Sequence, residues 1–217
     1  MPKISEKRKQ LVIRVDPSLD FEGAISRASR VLLTGGVVAY PTESFYGLAA
    51  DATNEKAIKH LFFIKKRRAS RPVLILIPSI DTLGHYVDHI PPIAQQLIEV
   101  FWPGGLTLVF LAGPKISPLL TSGTGKIGIR FSSHPVAMAL TQSIRLPITG
   151  TSANISSEPA CQNADEILHS FKEGVSLILD GGETTGKIGS TVLDITQDPP
   201  LILREGMIKE SQLAEFM

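Results

Sequence analysis

Short runs of aliphatic and β-branched residues alternate along the chain with segments whose apolar positions recur every three or four residues, the pattern expected of a sheet with helices packed on it. Nine runs have the length and composition of strands: Leu11 to Val15, Val37 to Tyr40, Val73 to Ile77, Thr107 to Leu111, Ile127 to Phe131, Leu146 to Thr149, Ser176 to Leu179, Thr191 to Ile195 and Leu201 to Leu203. In the segment from Ser18, Ala24, Ile25, Ala28, Val31 and Leu32 fall at helical spacing, and Gly35-Gly36 supplies a stop. Asn54 is placed to cap a helix carrying Ala57, Ile58, Leu61 and Phe62. Further helices are expected from Pro92 to Phe101, from Pro135 to Ser143 behind a Ser133 cap, from Ala164 to Phe171, and from about Ser211 onward. No helix pattern separates the strands between Thr107 and Phe131 or those after Ser176. The pattern therefore predicts an α/β fold, a mixed sheet flanked by helices, rather than a strictly alternating parallel one.

Composition narrows the class. With 217 residues, 43% hydrophobic, 20% charged, and 18 Gly and 15 Pro spread along the chain, the sequence has the balance of an ordinary globular protein, which excludes disordered, collagen-like and coiled-coil classes. No repeat, low-complexity stretch or polar linker divides it, so a single domain is expected. The lone Cys161 cannot form an intramolecular disulfide and is too few for a zinc site, which favours a reducing compartment and a cytoplasmic location. The charged start is followed by an apolar run too short for a leader, and no run is long enough for a membrane span. The net charge of +1 conceals an asymmetry: residues 1–130 carry 17 Lys+Arg against 10 Asp+Glu, and residues 131–217 carry 5 against 11. The basic first part points to an anionic ligand, a nucleotide or a nucleic acid.

Several familiar signatures fail on their context. Gly123 to Gly128 fits G-x-G-x-x-G, but a strand pattern follows where a dinucleotide site needs a helix N-terminus. Gly181 to Lys187 spells the start of a P-loop, yet Ile188 stands where the Mg²⁺-binding hydroxyl belongs. His85 and His89 are four apart, without the glutamate or third ligand of a zinc helix. Ser152 lies just past a strand, but Asn154 occupies the place of the glycine that a nucleophile elbow requires.

What survives is a set of phosphate- and ligand-binding residue types. Lys65-Lys66-Arg67-Arg68-Ala69-Ser70-Arg71-Pro72 puts five cations in eight residues, with no acid from Lys56 to Ile80. If the preceding helix ends near Ile64, Lys65 and Arg67 in extended chain share a face, a mobile point charge beside a planar fork. Ser152 and Asn154 are likewise two apart in Ser152-Ala153-Asn154. Arg130 and Arg204 end apolar runs, where a guanidinium needs an acid or an anionic ligand to offset its desolvation.

In order along the chain, Tyr40-Pro41-Thr42-Glu43-Ser44-Phe45-Tyr46-Gly47-Leu48, Lys65-x-Arg67 with Pro72 five beyond, Trp102-Pro103-Gly104-Gly105-Leu106-Thr107, Gly128-Ile129-Arg130, Thr151-Ser152-Ala153-Asn154, Ser190-Thr191-Val192 and Leu203-Arg204-Glu205-Gly206 resemble the motifs of the YrdC family, the threonylcarbamoyl-AMP synthases. The resemblance covers about residues 18–206 and departs from the common pattern at Ser44-Phe45, Ala49, Ser157 and Leu76. It implies a twisted mixed sheet around a concave basic site, and the short, single-domain form over residues 1–217. The activity it implies is formation of threonylcarbamoyl-adenylate and pyrophosphate from L-threonine, bicarbonate and ATP, with Mg²⁺ arriving on ATP. The product would pass to a downstream threonylcarbamoyl transferase for tRNA modification, and tRNA or double-stranded RNA is an expected partner; an RNA-binding module without the synthase activity is the alternative. Carried over by position, Lys65 and Arg67 would contact phosphates, Ser152 and Asn154 would hold ligand at the reacting centre, Arg130 and Ser190 with Thr42 would bind threonine, and Arg204 would reach the ATP phosphates. For Tyr46 a packing role is expected. No protein-built metal site is expected, since no Asp, Glu or His cluster marks one. The glycine-dense segments Thr121 to Lys126 and Gly181 to Gly189 are candidate lids.

Overall fold

Residues 12–16, 20–68, 70–185 and 188–217 are described by a computed structural model of the chain, and in them the strand pattern resolves into ten strands. These are β1 (Val12–Arg14), β2 (Val38–Pro41), β3 (Tyr46–Ala49), β4 (Leu74–Leu76), β5 (Leu106–Leu111), β6 (Lys126–Arg130), β7 (Ile148–Ser152), β8 (Leu177–Asp180), β9 (Thr191–Asp194) and β10 (Leu201–Arg204). The helices are α1 (Phe21–Leu33), α2 (Glu55–Ile64), α3 (Pro92–Phe101), α4 (Pro118–Thr121), α5 (Pro135–Ile144), α6 (Ala164–Ser170) and α7 (Glu210–Leu213), with short 3₁₀ turns at Ile80–His85 and Ala214–Phe216. Leu11, the Ser18 start of the first helix and Lys187 lie outside the described residues.

One sheet joins all ten strands in the order β1-β8-β2-β3-β7-β4-β6-β5-β9-β10. It is mixed: β1/β8, β2/β8, β4/β6 and β5/β9 are parallel and the remaining neighbours antiparallel. Strand β3 escapes the pattern reading, because its four residues include Gly47 and follow β2 through a turn too short to separate two runs. The cap expected at Ser133 sits one residue later: His134 Nδ1 accepts from the Val136 amide at 3.3 Å, while the Ser133 hydroxyl is turned to Glu43. Burial lowers the His134 pKa against the pull of Glu43, which suits a ring nitrogen acting as acceptor.

Alternation along each strand sorts the side chains onto two faces. On one face Ile75, Leu106, Leu108, Phe110, Ile127, Ile129 and Leu193 pack under α3, and Ala39, Leu48 and Ile178 pack under α2 and α6. On the other, α1 and α5 cover Val38, Tyr40, Ala49, Ile148, Leu177 and Leu179. These two helices cover only part of that face. Over β7, β4, β6, β5 and β9 the same face is left open as a cleft of about 710 Å³.

Candidate active site

The floor of the cleft is the alternate residue of each strand: Gly150 and Ser152 of β7, Leu74 and Leu76 of β4, Lys126, Gly128 and Arg130 of β6, Thr107 and Val109 of β5, Val192 and Asp194 of β9. Because Ile127 and Ile129 face the core, Lys126 and Arg130 cannot, and β6 delivers both cations to the opening. Gly150 keeps this floor low, since a Cβ there would run into the Leu74 side chain. Around the floor the lining takes in Thr42, Arg67, Ser190 and Arg204. Six of the eight residues singled out by sequence thus share one cleft: Thr42, Arg67, Arg130, Ser152, Ser190 and Arg204.

Lys65 and Asn154 stand behind that lining. The extended-chain geometry expected for Lys65 and Arg67 is not found: Lys65 is still helical at φ −78° and ψ −7°, and Lys66 turns left-handed at φ 48°. The amide of Arg67 donates to Phe62 O at 2.9 Å and that of Lys66 to Phe63 O at 3.0 Å, a Schellman closure of α2 made without glycine. The turn sends Lys65 inward, where it is 1% exposed. Its ammonium donates to Ser152 O, Asn154 O at 2.8 Å and Asn154 Oδ1 at 3.2 Å. Burial, and after it the charge of Arg67, pull its pKa down to about 7. Asn154 is gripped further: Oδ1 accepts from Ser152 Oγ at 2.7 Å, and Nδ2 donates to Glu158 O at 2.6 Å. The two pairs of the sequence reading are therefore one assembly, with Lys65 organising the segment that presents Ser152.

Arg67 is held in the mouth by two backbone carbonyls, Nε to Arg71 O at 3.2 Å and Nη2 to Pro72 O at 2.7 Å. Arg204 donates from Nη2 to Ser190 O at 2.8 Å and to Ser190 Oγ at 3.1 Å, while Thr107 Oγ1 donates to the same Oγ at 3.0 Å. Burial first, then the charge of Arg130, lower the pKa of Arg204. Thr42 Oγ1 donates to Phe45 O at 2.6 Å, closing the turn between β2 and β3. Arg130 donates from Nε to Gly104 O at 2.7 Å, and its Nη2 lies 2.7 Å from Glu43 Oε2, off the hydrogen-bonding direction, so this contact is an ion pair. Lys126 Nζ pairs with Asp194 Oδ2 at 2.8 Å. The cations of the cleft are thus partly answered by acids from other elements, and its character is less uniformly basic than the charge of the first 130 residues suggests.

Two acids were missed by sequence reasoning, and one aromatic does more than was expected of it. Glu43 is the only acid between Glu22 and Asp51, a signal that was available in the sequence. Asp194 ends β9 in a run that reads as a plain strand, and only the register Val109↔Asp194 beside Leu111↔Lys126 brings it to its partner. Tyr46 is fully buried, as a packing role requires, but its hydroxyl also donates to Gly182 O at 2.7 Å and accepts from the Gly181 amide at 3.0 Å. It anchors the crossing between β8 and β9, of which Ile188, Gly189 and Ser190 reach the cleft. Among the described residues no group of three His, Cys, Asp or Glu is disposed to hold a metal ion, and no helix is long and apolar enough to cross a membrane.

A family model named for Sua5, YciO and YrdC, and described as telomere recombination, matches residues 30–206. The chain belongs to the Sua5/YciO/YrdC family. Within this family, the threonylcarbamoyl-AMP synthase of Pyrococcus abyssi is 37% identical over 196 residues, covering 90% of this chain and 57% of that protein. The threonylcarbamoyl-AMP synthase of Bacillus subtilis is 37% identical over 190 residues, covering 87% of this chain and 55% of that protein. The chain thus spans a little over half the length of these two curated relatives. A solved structure of P. abyssi Sua5 complexed with L-threonine superposes with a TM-score of 0.91 at 35% identity, over 95% of this chain and 60% of that one.

Proposed function

We propose that this chain is an L-threonylcarbamoyladenylate synthase, joining L-threonine, bicarbonate and ATP into threonylcarbamoyl-AMP with release of pyrophosphate. What supports the reading is the convergence on one cleft of Thr42, Arg67, Arg130, Ser152, Ser190 and Arg204, which come from widely separated parts of the chain and lie in the segments that carry its resemblance to the synthases. The 37% identity to two proteins named as such supports the same reading.

The chemistry needs these residue types. Bicarbonate takes up a proton and loses water to give CO₂, which threonine's amine captures as a carbamate with return of the proton; a carbamate oxygen then attacks the α-phosphorus of ATP, the P–O bond to the β-phosphate breaks and pyrophosphate leaves. Nucleophile, phosphates and leaving group are all anionic, so alignment and cationic stabilisation do most of the work. In this reading Arg67 and Arg204 meet the phosphates, and Arg130 with Ser190 and Thr42 receives threonine. Ser152, held by Asn154 and Lys65, faces the reacting centre. ATP enters as its magnesium complex, the ion being part of the substrate. A cleft that excludes water protects the carbamate, and the Gly181 to Gly189 crossing anchored by Tyr46 is the segment suited to close it. The adenylate would pass to a threonylcarbamoyl transferase acting on tRNA in the cytoplasm, with tRNA or double-stranded RNA as a further partner.

The deciding experiment is pyrophosphate release from MgATP with and without L-threonine and bicarbonate. Release that requires both establishes the synthase; no release, together with no heat of binding for ATP or threonine, sinks it and leaves the RNA-binding alternative, which salt-dependent RNA binding without ATP turnover would support.

A further inference from the structure

Glu43 has more contacts than any residue that the proposed chemistry uses, and that chemistry gives it no part. One of its oxygens, Oε1, accepts from Ser132 Oγ at 2.8 Å, Ser133 N at 3.0 Å, Ser133 Oγ at 2.9 Å and His134 N at 2.9 Å. The other, Oε2, lies against Arg130 Nη2. Its backbone carbonyl accepts from Thr185 Oγ1 at 3.1 Å, in the crossing that leads to Ser190. Donors converging on one oxygen and a guanidinium against the other both favour the ionised form, so the group is held as a carboxylate. Burial opposes that charge, but the guanidinium of Arg130 and the converging hydrogen bonds outweigh it and hold the pKa down to about 2.

The consequence falls on Arg130. This side chain is 9% exposed and has one edge committed, with Nε on Gly104 O and Nη2 on Glu43. A guanidinium gripped at two nitrogens has one orientation, and the nitrogen left over, Nη1, is the one available to the cleft that Arg130 lines. Without Glu43 the charge would be buried, unpaired and close enough to Arg204 to repel it. The site would then present an uncompensated Arg130 beside Arg204 in place of one oriented, charge-balanced donor, a poor fit for a zwitterionic amino acid whose ammonium must also be accommodated.

We propose that Glu43 is a positioning residue of the amino-acid subsite, acting through Arg130: itself tied to the segment before α5, it fixes the guanidinium between its own carboxylate and Gly104 O and balances its charge so that an amino-acid zwitterion is bound. The inference deepens the synthase reading and rests on it. The competing reading is that Glu43 only ties down the turn before α5, and the two separate experimentally.

The test measures the KM for L-threonine, the KM for ATP and kcat, together with calorimetric binding of L-threonine, for wild type, Glu43→Gln, Glu43→Asp, Ser133→Ala, Arg130→Gln and Glu43→Gln/Arg130→Gln. Glu43→Gln is expected to raise the threonine KM about tenfold or more while leaving the ATP KM within about twofold. Glu43→Asp, which keeps the charge on a shorter arm, should fall between it and wild type. Ser133→Ala, which removes one of the turn's hydrogen bonds and no charge, should lower the melting temperature with the threonine KM unchanged. In the Arg130→Gln background the Glu43 substitution should add little, because its effect is routed through the missing arginine. A wild-type threonine KM in Glu43→Gln, an equal rise in both KM values, or multiplicative effects in the double variant each overturns the inference while leaving the synthase intact. If Glu43→Gln does not fold, an unchanged threonine KM in Glu43→Asp overturns it. A wild-type protein that neither binds threonine nor releases pyrophosphate overturns the functional reading and this inference with it.

Discussion

Lys65 and Arg67 sit two residues apart in one motif and obey different physics. Lys65 is a buried donor to three acceptors, so Lys65→Ala takes the ammonium from Asn154 O, removes one of the donors to Ser152 O and to Asn154 Oδ1, and opens space behind the cleft. We expect a loss of the order of 3 kcal/mol, or roughly 10 °C in thermal melting, together with lost activity. Arg67 is half-buried and bonded only to two carbonyls of its own loop. Arg67→Ala should cost about 1 kcal/mol or less and act chiefly on the ATP KM. If the two variants melted alike, the separation of roles would be wrong. Glu43 makes a prediction of a different kind. Its folded-state pKa of about 2 lies below the ordinary 4.5, so on acidification the unfolded chain takes up the proton first. The stabilisation is complete above about pH 4.5, is lost as pH falls toward 2, and amounts to about 3 kcal/mol. Urea melts across that window should show a shallower acid slope for Glu43→Gln, and an unchanged slope would mean that the carboxylate is not so held. Glu43 and Arg67 were both readable as charges in the sequence. Their side-chain partners were not, because those lie 87 to 91 positions away for Glu43, and for Arg67 they are carbonyls of Arg71 and Pro72 that it reaches only after the left-handed turn at Lys66.

At the scale of elements, the site depends on how closely β10 returns beside β9. The pairing shifts between Ile202 and Arg204, and past it Gly206 passes against the backbone of the neighbouring strand's start. A Cβ on Gly206 would strike Gly189 O, Ser190 C and Thr191 N, all main-chain atoms that cannot rotate aside. Gly206→Ala should therefore push the segment out, break the Arg204 bonds to Ser190, cost roughly 1–3 kcal/mol and raise the KM for ATP. A variant with wild-type stability and kinetics would show that this approach does not matter. Most of these elements were legible from periodicity, since Ala57, Ile58 and Leu61, or Ile127 and Ile129, mark their buried faces directly. What was missed is instructive. Strand β3 is four residues long and holds a glycine, and α4 is a single turn, so neither contains enough periods to register.

Over the whole molecule, the cleft is the part of one sheet face that α1 and α5 leave uncovered, and β4, β6, β5 and β9 each give its floor one residue in two. A ligand bound there bridges β7, β4, β6, β5 and β9 and should stabilise all of them together. MgATP with L-threonine and bicarbonate is expected to raise the melting temperature more than either MgATP or threonine alone. A gain of about 2.7 kcal/mol at a hundredfold excess over Kd corresponds to roughly 5–10 °C. Hydrogen exchange should at the same time slow at the Gly181 amide, which Tyr46 holds. Equal exchange with and without ligands would remove the Gly181 to Gly189 crossing from the closing step.

The sequence by itself determined the fold class, most of the helices and strands, and the residue types gathered at the site, because those follow from local periodicity and from side-chain chemistry. It also carried a family resemblance that the comparisons support. Only the tertiary structure decided that Lys65 turns inward while Arg67 faces the opening, that Glu43 meets Arg130, and that Lys126 meets Asp194. Each of those outcomes depends on which strands are neighbours and in what register, or on a turn whose left-handed residue is an ordinary lysine. Strand order and register minimise a free energy that is spread over the whole sheet, and no short window of sequence contains it.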